Sequence, residues 1–121
     1  MTSSCTKCEE SQDYLVSLAV EAWRLSRHFS RALQDLDAGL ADRHMNRVRF
    51  FERSLTNLLG KAGIQLANLE GQPFESGAAV TALNLEDYPD SDSLVIDQMI
   101  EPVVLGTSGV LRAGTATVKE S

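Results

Sequence analysis

From Leu15 to Leu36, the apolar residues Leu15, Leu18, Ala22, Leu25, Phe29, Ala32 and Leu36 follow one another at steps of three and four without a break. That rhythm is the seam of a coiled coil, and it prescribes a helix with one narrow apolar face. Ser11 with Asp13 supplies a start signal, and the helix is expected to end near Asp37. Asp37-Ala38-Gly39 then reads as the turn, with Gly39 as the left-handed residue that follows a helix. A second helix is expected to start at Ala41 or Asp42 and to carry Val48, Phe51, Leu55, Leu58 and Ala62 at the same spacing, with Met45 and Leu59 beside the stripe. It stops between Gly60 and Gly63.

Two helices joined by a short turn make an antiparallel hairpin, and two narrow stripes facing each other bury only part of what they offer. Trp23, Phe29, Phe50 and Phe51 add more apolar surface than one hairpin can cover. The expectation is that two copies meet as a four-helix bundle through Leu18, Leu25, Phe29, Leu36, Val48, Phe51, Leu55 and Leu58. The alternative cover is the remainder of the same chain folded back over the hairpin.

That remainder reads as β structure. The segment 64–69 alternates apolar and polar like an opening strand, and the runs 78–85, 94–100 and 110–118 are rich in Val, Ile, Leu, Ala and Thr. Gly, Pro, Asp and Ser separate them. Glu70-Gly71-Gln72-Pro73-Phe74 is expected to be a turn in which Phe74 is either a core plug or a contact knob. The glycines of Leu105-Gly106-Thr107-Ser108-Gly109 fit a hairpin turn, because no helix follows to complete a phosphate cradle. The fold class is therefore α+β: a tail over 1–10, a helical hairpin and dimerisation region over 11–63, and a small all-β domain over 64–121.

The net charge of −6 disfavours nucleic acid as a partner. The charge is unevenly spread: residues 1–63 carry nine Lys/Arg against eight Asp/Glu, whereas 64–121 carry two against nine. The acidity of the β region fits either ordinary solubility or a basic partner surface. The hairpin's arginines (Arg24, Arg27, Arg31, Arg43, Arg47, Arg49 and Arg53) fit a solvated face or a grip on an acidic partner. No apolar run is long enough to span a bilayer, and the N-terminus lacks the basic-then-apolar order of a signal peptide, so no membrane association and a cytoplasmic location are expected.

Reactive chemistry is sparse. Cys5 and Cys8 form half of a zinc motif with no second half in the sequence, and His28 and His44 fall on separate helices among arginines. The acidic loop 84–93 lacks the glycine and the final glutamate of a calcium loop. No G-x-S-x-G, P-loop or H-E-x-x-H motif occurs. These readings predict a protein without catalytic residues, cofactor or metal site.

Taken in order, LLGKAGIQ, EGQPFES, AAVTALN, SLVIDQMIEPVVL and GVLRAGTATVK, preceded by the hairpin, resemble the C-terminal part of the GrpE family of nucleotide exchange factors. That family shows a G-x-P-[FL]-[DE] turn, a strand with a central A-V, a strand ending in Gly-Tyr-x-Leu, and a closing G-R-x-[LI]-R-x-A-x-V-x-V. The resemblance covers about residues 40–119. This chain departs from the pattern in three places: Ala62 replaces the aromatic before Gly63, Glu101-Pro102-Val103 replaces the Gly-Tyr, and the first closing Arg falls at or beside Gly109 while Arg112 keeps the second. The family's long stalk helix has no counterpart of comparable length before the second helix.

The resemblance implies a homodimer whose β wing presses on the nucleotide-binding domain of a DnaK-type chaperone ATPase and releases ADP. It places partner contacts at Phe74, Met99 and Val118, with Arg112 as a neighbour able to pair with a carboxylate. For Met99 and Val118 core packing is the other reading. A second function class is a non-catalytic dimeric adaptor that keeps the GrpE-like fold and assembles a different ATPase or GTPase complex.

Overall fold

The computed structural model describes residues 6–75, 77–90 and 93–121. The chain is α+β and divides into two compact units, Met1–Lys61 and Ala62–Ser121. Cys5 and the side chain of Cys8 lie outside the described residues. No helix among the described residues is long and apolar enough to cross a membrane.

The first unit holds helices α1 (Thr6–Leu33) and α2 (Ala38–Lys61), packed as a hairpin. Its turn differs from the expected one. Asp37 is the N-cap of α2: its carboxylate accepts a hydrogen bond from the Leu40 amide at 3.2 Å, and its carbonyl accepts the amide of Ala41 at 2.9 Å. A side-chain oxygen satisfying the third amide of a helix is a strong start signal, so α2 begins earlier than Ala41 and takes Gly39 into its first turn. α1 in turn ends at Leu33, before Asp37, with the amides of Gln34, Asp35 and Leu36 bonded three residues back.

The face of α1 that meets α2 is also not the seam 15-18-22-25-29-32. Burial falls one residue later: Val16, Ala19, Ser26 and Leu33 are buried, with Trp23 and Ser30 half-buried between them and Val20 buried beside Ala19. These positions repeat the same three-and-four spacing, rotated by one residue, about 100° around the helix. Ala19, Ser26 and Ser30 are small, and small side chains at the contact let two helix axes approach closely. On α2, Val48 and Leu59 are buried and Leu55 is half-buried.

The second unit contains seven strands: β1 (Gln65–Ala67), β2 (Pro73–Phe74), β3 (Val80–Ala82), β4 (Leu94–Glu101), β5 (Val103–Gly106), β6 (Gly109–Arg112) and β7 (Gly114–Glu120). They form a three-stranded sheet in the order β1-β5-β6 and a four-stranded sheet in the order β2-β4-β7-β3. All pairs are antiparallel except β3 with β7. Two of the apolar runs therefore each supply one strand to each sheet. The run 94–105 changes sheet at Pro102, and the run 109–120 changes back at Ala113. Pro102 has no amide to leave unpaired where the ladder breaks, and its ring is buried.

The two crossings meet at one corner. A Cβ at Gly114 would lie 2.7 Å from the carbonyl oxygen of Glu101 and 3.0 Å from the amide nitrogen of Val103, the residues that flank Pro102. The corner closes only because position 114 has no side chain. The 105–109 segment forms the expected hairpin, with Gly106 opposite Gly109. Gly63, with φ of 74°, redirects the chain after α2, and a Cβ there would meet the Thr107 methyl at 3.0 Å.

Gly114→Ala is expected to destabilise the chain by about 1–3 kcal/mol, the usual cost of forcing extra volume into a packed site. A lowered urea midpoint with an unchanged slope would show it.

Candidate functional site

The GQPF segment is a strand and not only a turn. The amide of Gln72 bonds the carbonyl of Leu69 at 3.0 Å, closing a turn, after which the chain runs beside β4. Gly71 donates to the carbonyl of Ile96 at 2.8 Å, and Ile96 donates to the carbonyl of Gln72 at 2.9 Å. Pro73 and Phe74 then pair with Val95 and Leu94 on the outer edge of the four-stranded sheet. An edge position suits a proline, which has no amide to offer a further strand. Phe74 is half-buried there, opposite Leu94.

A β-bulge decides the role of Met99. Inward-facing residues alternate at Leu94 and Ile96, and strict alternation would next bury Gln98. The register with β7 shifts between Ile96 and Gln98, and Met99 turns inward instead. The Glu70 carboxylate accepts the Met99 amide at 2.8 Å, satisfying a donor where the ladder is irregular. Met99 is 1% exposed, and so is Val118, which faces inward from β7. Both are core residues in this conformation, and neither presents a side chain to a partner. Arg112 is half-buried on β6 in the other sheet, across from Val104. Of the four residues assigned to partner contact, the structure thus leaves Phe74 and Arg112 with accessible surface and places them in different sheets.

Other apolar residues are exposed on this unit. Leu83 and Leu85 flank Asn84, whose side-chain amide donates to the Val118 carbonyl at 2.9 Å and accepts the Val118 amide at 2.8 Å. This side chain imitates one more pair of the β3–β7 ladder, and it holds its two leucine neighbours in the open. Val110 and Leu111 are exposed on β6. In the sequence Leu83 and Leu85 look like a continuation of a strand, and no local signal marks the clamp that ends it.

On the helical unit, the sequence-derived dimerisation residues divide in two. Val48 is buried and Leu55 half-buried within the hairpin. Leu18 and Leu25 are 68% exposed, and Leu58, Phe51, Phe29 and Leu36 are also exposed. Phe29 meets the ring of His44 edge-on with centroids 6.3 Å apart. Arg27 lies 5.2 Å over the Trp23 ring. Arg24 pairs with Glu21 at 3.1 Å on the exposed surface, a contact worth little in water.

Among the described residues no three His, Cys, Asp or Glu side chains come together as a metal site. No family model, curated protein or solved structure matches this chain.

Met99→Ala is expected to cost about 2–5 kcal/mol in unfolding free energy, as a large-to-small change in a core does. Phe74→Asp, on the half-buried edge, should cost well under half of that. Glu70→Ala should cost about 1–3 kcal/mol by orphaning the Met99 amide, and Glu70→Gln, which keeps an acceptor, should recover most of the loss. Chemical denaturation of the variants in parallel ranks them.

Proposed function

We propose that this chain is a compact GrpE-like exchange factor, a homodimer that promotes ADP release from a DnaK-type chaperone ATPase through its β unit. The observation that carries this reading is the architecture: a helical hairpin followed by a small two-sheet β unit whose GQPF segment is fastened along an outer edge. The motif order in the sequence resembles that family over the same elements.

Exchange of this kind requires no proton transfer or covalent step. The protein has to bind the open, nucleotide-poor state of its partner better than the closed one, and that difference in binding free energy is the whole of its effect. A rigid wedge suits the task, since a deformable surface would accommodate both states. The bulge and the Glu70 contact stiffen the strand beside the GQPF edge, so Met99 and Val118 serve this reading from beneath the surface, while Phe74 and Arg112 are its contact residues. The homodimer is supported by the exposed apolar face of the hairpin, which water would otherwise cover.

The second reading is a non-catalytic dimeric adaptor that assembles another ATPase or GTPase complex. It is favoured by Pro102, whose buried ring at the sheet corner stands where the family carries Gly-Tyr.

Release of a fluorescent ADP analogue from the DnaK-type ATPase of the same organism separates the two. Acceleration by the wild-type protein, lost in Phe74→Asp with the fold retained, supports exchange. No acceleration at saturating dimer, with stable binding of the ATPase, sinks it in favour of the adaptor.

A further inference from the structure

The four-stranded sheet has two outer strands, and they are not alike. β2 carries Pro73, which has no amide to offer a further strand. β3, at the opposite edge, is Val80-Thr81-Ala82, with neither a proline nor a charge to block pairing. Two bonds define which side of β3 faces the sheet: the amide of Leu83 donates to the Ala116 carbonyl at 2.9 Å, and the amide of Gly114 donates to the Ala79 carbonyl at 2.9 Å. Successive residues of a strand direct their backbone groups to alternate sides, so residues 79, 81 and 83 serve β7. The N–H and C=O groups of Val80 and Ala82 therefore face away from it. No hydrogen bond from the described residues reaches those four groups.

We infer that this edge docks an extended segment of another protein, with apolar side chains beside Lys or Arg, which joins the sheet as a further strand. The site is independent of the exchange reading, and it lies across the sheet from Phe74.

The exposed leucines and the local charge together choose this occupant. Leu83 is 52% exposed and Leu85 45%, both at the end of the same edge, where the Asn84 clamp stops β3 from continuing. A strand laid along Val80 and Ala82 and past them covers these leucines as well as the backbone. Glu86 and Asp87 follow directly, both exposed. The only two cations of residues 64–121 do not neutralise them: Lys119 pairs with Asp97 at 3.6 Å, and Arg112 lies in the other sheet. A Lys or Arg beyond the apolar part of the segment thus meets carboxylates, and charge complementarity of this kind selects among partners. A second copy of this edge is disfavoured, because it brings two basic against nine acidic residues onto an equal excess of the same sign. A nucleic acid strand is repelled for the same reason.

Two synthetic decapeptides serve as probes in titrations of the full isotope-labelled chain. One alternates Thr and Val and closes in three lysines; the other closes in three glutamates. The lysine peptide is expected to shift the amide resonances of Val80, Ala82 and residues 83–87, and to slow hydrogen exchange at Val80 and Ala82 by about tenfold at saturation. Its affinity should fall as salt is raised. Ala82→Pro removes one outward amide while the bonds of residues 81 and 83 to β7 remain, and should weaken binding by about tenfold. Glu86→Lys combined with Asp87→Lys, at exposed positions outside the ladder, should do the same with an unchanged unfolding midpoint, and it keeps the test open if Ala82→Pro does not fold. Phe74→Asp should bind the peptide as the wild type does. Binding at this edge in a chain that does not accelerate ADP release supports the site and counts only against the exchange reading. Equal binding of both peptides, shifts that map to β2 or β6, or no shift at millimolar lysine peptide overturns the site.

Discussion

The β unit depends on one corner. Two successive segments of the chain, 94–105 and 109–120, each run along one sheet, turn, and continue in the other, and both turns occupy the same place. Pro102 turns the first segment without stranding an amide, and Gly114 lets the second pass within contact of the Glu101 carbonyl. The two sheets are therefore joined covalently at a point where the backbones approach too closely for a side chain at position 114. Val103, Val104, Ala116 and Val118 are buried on the strands that leave this corner. Their packing follows from where the corner places those strands, so the core has little freedom to rearrange without it.

The irregularity in β4 works with that corner. A strand that entered it in strict alternation would bring Gln98 inward and turn Met99 out. The bulge exchanges them, and the Glu70 carboxylate, arriving from the turn before GQPF, bonds the Met99 amide. One side chain thus ties the edge segment, the bulge and the core together. For a protein whose proposed action lies in shape, such a tie has a direct use: the edge carrying Phe74 cannot shift without disturbing a buried methionine. The Asn84 clamp on Val118 is the corresponding device at the other edge, where it extends the β3–β7 ladder through a side chain and leaves Leu83 and Leu85 outside.

The helical unit shows the opposite condition, a surface in excess of its own packing. α1 carries two heptad seams one residue apart, one through Leu18, Leu25 and Phe29 and one through Val16, Ala19, Trp23, Ser26 and Leu33. α2 lies on the second, which together with Val20 holds the buried residues of the helix. The small residues Ala19 and Ser26 let the two helices approach closely, and Leu18, Leu25 and Phe29 stay exposed. The exposed face is thus a consequence of which seam was taken, and not of scattered surface leucines.

The helical rhythm, the Gly, Pro and Asp punctuation between short apolar runs and the missing catalytic motifs were all legible in the amino-acid sequence, because each is a property of neighbours three, four or two residues apart. From them came the two helices, the β region after Gly63, the hairpin turn at 106–109 and the α+β class. Asp37 reads in the sequence as part of a turn because caps and turns use the same residue types, and only its bond to the Leu40 amide distinguishes them. Which of two heptad seams faces α2, whether Met99 and Val118 are core or contact, and how two apolar runs become four strands in two sheets were decided by tertiary structure. Each rests on a contact between parts distant in the chain: α1 on α2, Glu70 on Met99, Gly114 against Glu101. Periodicity along a chain carries no record of such contacts, since a one-residue rotation of a helix or a one-residue bulge in a strand leaves the local pattern intact while exchanging its inside for its outside.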